Sequence, residues 1–132
     1  MRAPVPASRP PRIVIHHLSG CKVNQVEAFP ADQFATLTFG RSRSVDVHYD
    51  PGRHEFVSRR HAAIARNADN VGYTLTDLGS RNGTFLNEQP VTAPTPIHPG
   101  DTVRLSLAGP EFVFTLDPAP GLPAGTLPLP AL

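Results

Sequence analysis

Three short stretches carry the side chains best suited to chemistry: Phe39-Gly40-Arg41-Ser42, Val57-Ser58-Arg59-Arg60-His61-Ala62 and Asp77-Leu78-Gly79-Ser80-Arg81-Asn82-Gly83-Thr84. Together they offer several guanidinium forks, hydroxyls and an Asn amide. The three oxygens of a phosphate dianion accept charge-assisted hydrogen bonds from such donors, and an amide beside them can both donate to and accept from a peptide backbone. Eleven of the twelve basic residues are Arg and only Lys22 is Lys; seven of the Arg fall between Arg41 and Arg81, a span with five acids. Arg matches phosphate or carboxylate bidentately, whereas a lysine ammonium acts as a point charge.

The elements that must position these residues read as strands. Short β-branched and aromatic runs recur at Arg12 to Leu18, Val23 to Ala28, Phe34 to Phe39, Val45 to Val47, His61 to Arg66, Tyr73 to Leu78, Thr84 to Leu86, Thr102 to Leu105 and Glu111 to Leu116. Turn formers separate them, notably Ser19-Gly20, Asp50-Pro51-Gly52, Asn82-Gly83 and Pro99-Gly100-Asp101. No window shows apolar residues at helical spacing, so the chain is expected to be an all-β, two-sheet antiparallel sandwich. The expected core is Ile13, Ile15, Leu37, Phe39, Val47, Ala62, Ile64, Tyr73, Leu75, Leu78, Phe85, Val103, Leu105, Phe112 and Phe114. Each of the three chemical stretches sits at a strand end, where the loops of a sandwich gather.

Gly-Arg, then Ser-x-x-His, then Ser-x-Asn-Gly-Thr, in this order, resembles the signature of the forkhead-associated (FHA) domain family. Phe85-Leu86-Asn87, Gly100-Asp101-Thr102-Val103 and Glu111-Phe112-Val113-Phe114 fall where that family keeps its later strands. The resemblance covers nearly all of the expected ordered region. It implies an FHA/SMAD-like sandwich of about eleven strands that binds a phosphothreonine peptide across the loops at one end. Carried over, it makes Arg41 the phosphate anchor and Ser58 a hydroxyl donor to phosphate. Arg59 and Arg81 take variable places beside the phosphate, and Asn82 holds the peptide backbone. Gly40, His61, Ser80, Gly83, Thr84 and Asn87 are expected to support the site structurally, Gly83 because an Asn-Gly turn needs positive φ. Two turns depart from the family pattern: Asn87-Glu88 stands where Asn-Gly is common, and Ser106 where glycine is common. Arg53 and His54, in the connection before Ser58, are candidates for selecting residues that flank the phosphothreonine.

The remaining composition bounds the function. Proline-rich ends are expected to be flexible, giving an N-terminal extension at 1–11, an FHA domain at 12–117 and a tail at 118–132. A formal net charge of +1 argues against general attraction to nucleic acid or an anionic membrane. The single Cys21 and the lack of an apolar leader or an apolar run long enough to span a membrane point to a cytoplasmic protein. The Arg-rich, Lys-poor usage resembles that of high-GC bacteria. Ser58 with His61 hints at a nucleophile and base, but no nucleophile elbow, metal-ligand or phosphate-loop pattern accompanies them. No enzyme activity, cofactor or metal is therefore expected. The expected function is a monomeric adaptor that binds a phosphothreonine-containing protein, a Ser/Thr kinase or its substrate; the alternative is a phospho-independent scaffold. Self-inhibition through a phosphorylated N-terminal tail is not expected, because no Thr precedes Ile13.

Overall fold

In the computed structural model, residues 11–69 and 71–117 are described. Eleven strands follow one another: β1 (Arg12–His17), β2 (Val26–Pro30), β3 (Thr36–Gly40), β4 (Val47–His48), β5 (Ala62–Arg66), β6 (Tyr73–Asp77), β7 (Thr84–Leu86), β8 (Gln89–Pro90), β9 (Thr95–Ile97), β10 (Thr102–Leu105) and β11 (Glu111–Asp117). They form a six-stranded sheet in the order β2-β1-β11-β10-β7-β8 and a five-stranded sheet in the order β4-β3-β5-β6-β9. The expected extensions at 1–11 and 118–132 lie outside the described residues, apart from Pro11.

Period-two alternation sends one face of each sheet inward. Ile13, Ile15, Val103, Leu105, Phe112 and Phe114 of the larger sheet are fully buried against Leu37, Phe39, Val47, Ala62, Ile64 and Leu75 of the smaller one. Phe39 stacks on Phe112 with ring centroids 4.6 Å apart, and Tyr73 meets Phe114 edge-on at 5.4 Å, so aromatic pairs tie the layers together. Burying one such side chain stabilises by about 1.5–3 kcal/mol.

Two expected core residues lie elsewhere. Thr84 and Leu86 take the inward positions of β7, which puts Phe85 on the outer face under the Arg104 guanidinium, 5.4 Å from the ring centre. Leu78 follows the end of β6 at the sandwich rim and is 37% exposed. In their place Tyr49, Val57 and Ile97 join the core.

Pairing is antiparallel throughout except between β3 and β4, which run parallel with Phe39 opposite Val47. Parallel neighbours ordinarily need a long crossover. Here the chain folds back instead: Asp46 Oδ2 accepts from Thr38 N at 2.9 Å and from Thr38 Oγ1 at 3.0 Å, bringing the start of β4 beside β3.

Candidate functional site

Strand register brings the three chemical stretches together. Phe39 at the end of β3 pairs with Ala62 at the start of β5, and Ala62 pairs with Asp77 at the end of β6. The loops after β3, before β5 and after β6 therefore share one end of the smaller sheet. Close approach locks the first two: Arg41 N donates to Ser58 O at 3.1 Å and Ser42 N to Arg59 O at 3.0 Å. A Cβ on Gly40 would fall 2.1 Å from Arg59 O, so only glycine fits.

His61 is fully buried and fastens the loop before β5 to the loop after β6. Its Nδ1 accepts from Ser58 N at 3.0 Å, and its Nε2 lies 2.7 Å from the Gly83 carbonyl, which can only accept. These partners require the neutral Nε2–H tautomer. Burial lowers the pKa of His61, opposed by the bond to Gly83 and the charge of Asp77. With both ring nitrogens committed, the imidazole is not placed to take a proton from Ser58 Oγ.

Asp77 organises the loop after β6. Its Oδ2 accepts from Gly79 N and Ser80 N, each at 3.0 Å. Its Oδ1 accepts from Ser80 Oγ at 2.5 Å and from buried Thr84 Oγ1 at 2.6 Å. Burial alone would raise the Asp77 pKa, but the bonds from Ser80, Thr84 and Gly79 outweigh it and hold the carboxyl below its ordinary value. Ser80 Oγ also accepts from Gly83 N at 2.9 Å, and Gly79 and Gly83 sit at φ values of +82° and +88°. Asp77 lacked a sequence signal stronger than its place at a strand end.

On this frame Arg41, Ser58, Arg59, Arg81 and Asn82 line one open groove of about 280 Å³. Arg41 Nε donates to Val57 O, which fixes the guanidinium, and its terminal nitrogens have no hydrogen-bond partner among the described residues. Ser58 Oγ accepts from Arg81 N at 3.0 Å, so its own proton remains to be donated. Asn82 Nδ2 donates to Phe56 O at 2.9 Å, and its carbonyl oxygen has no partner among the described residues. Arg41, Arg59 and Arg81 form no ion pair among the described residues. The groove can therefore supply several charged and neutral donors to one anion.

Other expectations land differently. Asn87 occupies the far end of β7, where Nδ2 donates to Asp101 Oδ1 at 3.1 Å and Oδ1 accepts from Thr102 N at 2.9 Å; it braces the β7–β8 turn against β10 and touches none of the groove residues. His54 turns toward the loop between β1 and β2, where Nε2 accepts from Cys21 N at 2.9 Å, and its ring meets Tyr49 edge-on. Neither His54 nor exposed Arg53 lines the groove. Phe56, 60% exposed, and Glu55 line it without having been singled out; their only signal was position just before the key serine.

The FHA domain family matches residues 37–106, more than half of the chain. This chain belongs to the FHA domain family. The oxoglutarate dehydrogenase inhibitor of Corynebacterium jeikeium is similar to this FHA protein, with 35% identity over 82 residues, 62% of this chain and 52% of the relative. The FHA protein thus spans about half the length of the curated relative it matches. Among solved structures, its fold is similar to an FHA domain of an Arabidopsis thaliana hypothetical protein, with TM-score 0.70, 19% identity and coverage of 88% and 92% of the two chains. It is also similar to the N-terminal FHA domain of Saccharomyces cerevisiae Rad53p, solved with a phosphothreonine peptide, with TM-score 0.65, 21% identity and coverage of 78% and 91%. Among the described residues, no helix of this FHA protein is long and apolar enough to cross a membrane.

Proposed function

We propose that this FHA domain reads phosphothreonine in a partner protein and acts as a non-catalytic adaptor in Ser/Thr kinase signalling. One observation carries the reading: Arg41, Ser58, Arg59, Arg81 and Asn82 converge on a single groove with donors to spare. Arg41 presents its two terminal nitrogens to the phosphate, the Ser58 hydroxyl donates to a phosphate oxygen, Arg59 and Arg81 flank it, and Asn82 holds the adjoining peptide backbone. His61, Ser80, Gly83 and Thr84 keep these groups in place through the bonds described above. The similarly folded Rad53p domain, solved with a phosphothreonine peptide, supports the assignment by analogy of fold. The partner is a phosphothreonine-bearing kinase or its substrate, the adaptor is monomeric and cytoplasmic, and residues 12–117 suffice for binding.

The test is titration against phosphothreonine peptide libraries, with phosphoserine and unphosphorylated controls. Phosphothreonine-selective binding is expected. Loss of a bidentate charged contact in Arg41→Ala is expected to weaken it more than about a hundredfold. Binding indifferent to phosphorylation, or to Arg41→Ala, would overturn the reading in favour of a phospho-independent scaffold.

A further inference from the structure

Beside the groove just described lies a second, larger one of about 620 Å³, lined by Arg41, Arg43, His48, Pro51 and Arg59 among others. Arg41 and Arg59 line both, so the two grooves adjoin across this pair of guanidinium groups. Arg43 lines the second groove and not the first. Its exposed guanidinium has no ion pair or hydrogen bond among the described residues.

No carboxylate lines this groove, although Glu55 lines the adjoining one beside the shared Arg41 and Arg59. Asp46 is turned to Thr38, and Asp50 Oδ1 accepts from Gly52 N at 2.9 Å; neither lines the groove, and no other carboxylate does. His48 lines the groove, but its Nε2 is buried away from solvent and has no hydrogen-bond partner among the described residues. An open, roomy, cationic groove continuous with a phosphate site selects an anion on the same ligand. Several guanidinium donors around one space suit three phosphoryl oxygens better than a single carboxylate.

We infer that the second groove binds a second phosphorylated Ser or Thr of the same peptide, so that the ligand class is a doubly phosphorylated segment. The inference rests on the phosphothreonine reading above and extends it. Arg43 is its specific contact, while Arg41 and Arg59 are shared between the two phosphates.

The experiment compares three peptide series on the intact protein. All carry one phosphothreonine, and at each flanking position in turn they carry a neutral residue, a glutamate or a second phosphorylated residue. At one or more positions the second phosphate is expected to tighten binding by about tenfold or more. Arg43→Ala is expected to abolish that gain while leaving the singly phosphorylated peptide unaffected. Arg60→Ala removes an exposed cation of the loop before β5 that lines neither groove, and is expected to keep the gain. A gain that survives Arg43→Ala, or that falls equally with Arg60→Ala, would mean diffuse attraction and overturn the inference. Glutamate giving the same gain as phosphate would overturn the choice of phosphate. Singly phosphorylated peptide bound with no gain anywhere sinks this inference alone, whereas no peptide bound at all sinks the phosphothreonine reading with it.

Discussion

At the scale of single residues, the groove depends on one buried histidine staying neutral. His61 Nδ1 must accept from Ser58 N while Nε2 donates to Gly83 O. A proton on Nδ1 would set two donors facing each other at the loop that carries Ser58. Because burial lowers its pKa, the folded protein binds this proton less readily than the unfolded chain, whose ordinary value is 6.5. The stabilising contribution is therefore complete above 6.5 and is lost as pH falls from there toward the lowered folded value. Stability measured by denaturation without peptide is expected to fall between about pH 7 and about pH 5. Measuring without ligand matters because the phosphate itself titrates near about pH 6. His54 shifts in the same direction, through burial first and then the charge of Arg53, so a His54→Gln background isolates the His61 share. An NMR titration placing the His61 midpoint at or above 6.5 would refute the argument. Arg41, Ser58, His61 and Asn82 were all legible as a motif, because their chemistry resides in residue type and order. Phe56 and Tyr49 were not, because whether an aromatic faces solvent or the core depends on packing that spacing does not encode.

At the scale of elements, the two strands that escaped the sequence, β8 and β9, both contain a proline. Gln89–Pro90 and Thr95–Ile97 each contain a residue without an N–H, a feature that demotes a run in any strand reading. Both strands prove to be sheet edges, β8 in one sheet and β9 in the other, where one side of the ladder needs no donor. Edge position is a property of the assembled sheet and has no local signal. The fold-back that makes β4 parallel to β3 was hidden for the same reason, since it rests on Asp46 meeting Thr38. By contrast, the anomalous turn at Asn87-Glu88 was visible. Both residues have positive φ, 48° and 75°, in a two-residue hairpin turn between Leu86 and Gln89. Such a turn favours glycine at its second place. A left-handed conformation costs a non-glycine residue about 1–2 kcal/mol, and the extra freedom of an unfolded glycine returns part of that. The 3.8 Å contact of Glu88 with Arg104 is exposed on the Glu88 side and contributes little. Glu88→Gly is thus expected to raise stability by about 0.5–1 kcal/mol and, lying far from the groove, to leave phosphopeptide affinity unchanged. Chemical denaturation beside a peptide titration checks both halves, and a destabilised variant would mean that the ion pair outweighs the strain.

At the scale of the whole molecule, the ends of the chain complete the sandwich. β1 pairs with β11 over its entire length, from Arg12 opposite Asp117 to His17 opposite Phe112, and both are interior strands of the larger sheet. Which strands would be neighbours could not be read from the sequence, because this pairing joins segments about as far apart in the chain as any. The family match, residues 37–106, contains every groove residue yet omits β1, β2 and β11. A fragment cut to that match would lose Ile13, Ile15, Phe112 and Phe114, all fully buried, and would bare Phe39 where it stacks on Phe112. Truncating even one such side chain costs about 2–5 kcal/mol, and a domain of this kind is stable by only about 5–15 kcal/mol in total. The fragment 37–106 is therefore expected to lack a cooperative thermal transition and to bind no phosphopeptide, although its motif is intact. The fragment 12–117 keeps both closing strands and every core contact described, so it is expected to unfold at the same temperature as the full chain and to bind with the same affinity. Cooperative unfolding of 37–106 would show that the smaller sheet holds the groove unaided. A drop in melting temperature or affinity on cutting back to 12–117 would instead assign the segments at 1–11 and 118–132 a part in the fold or in the site.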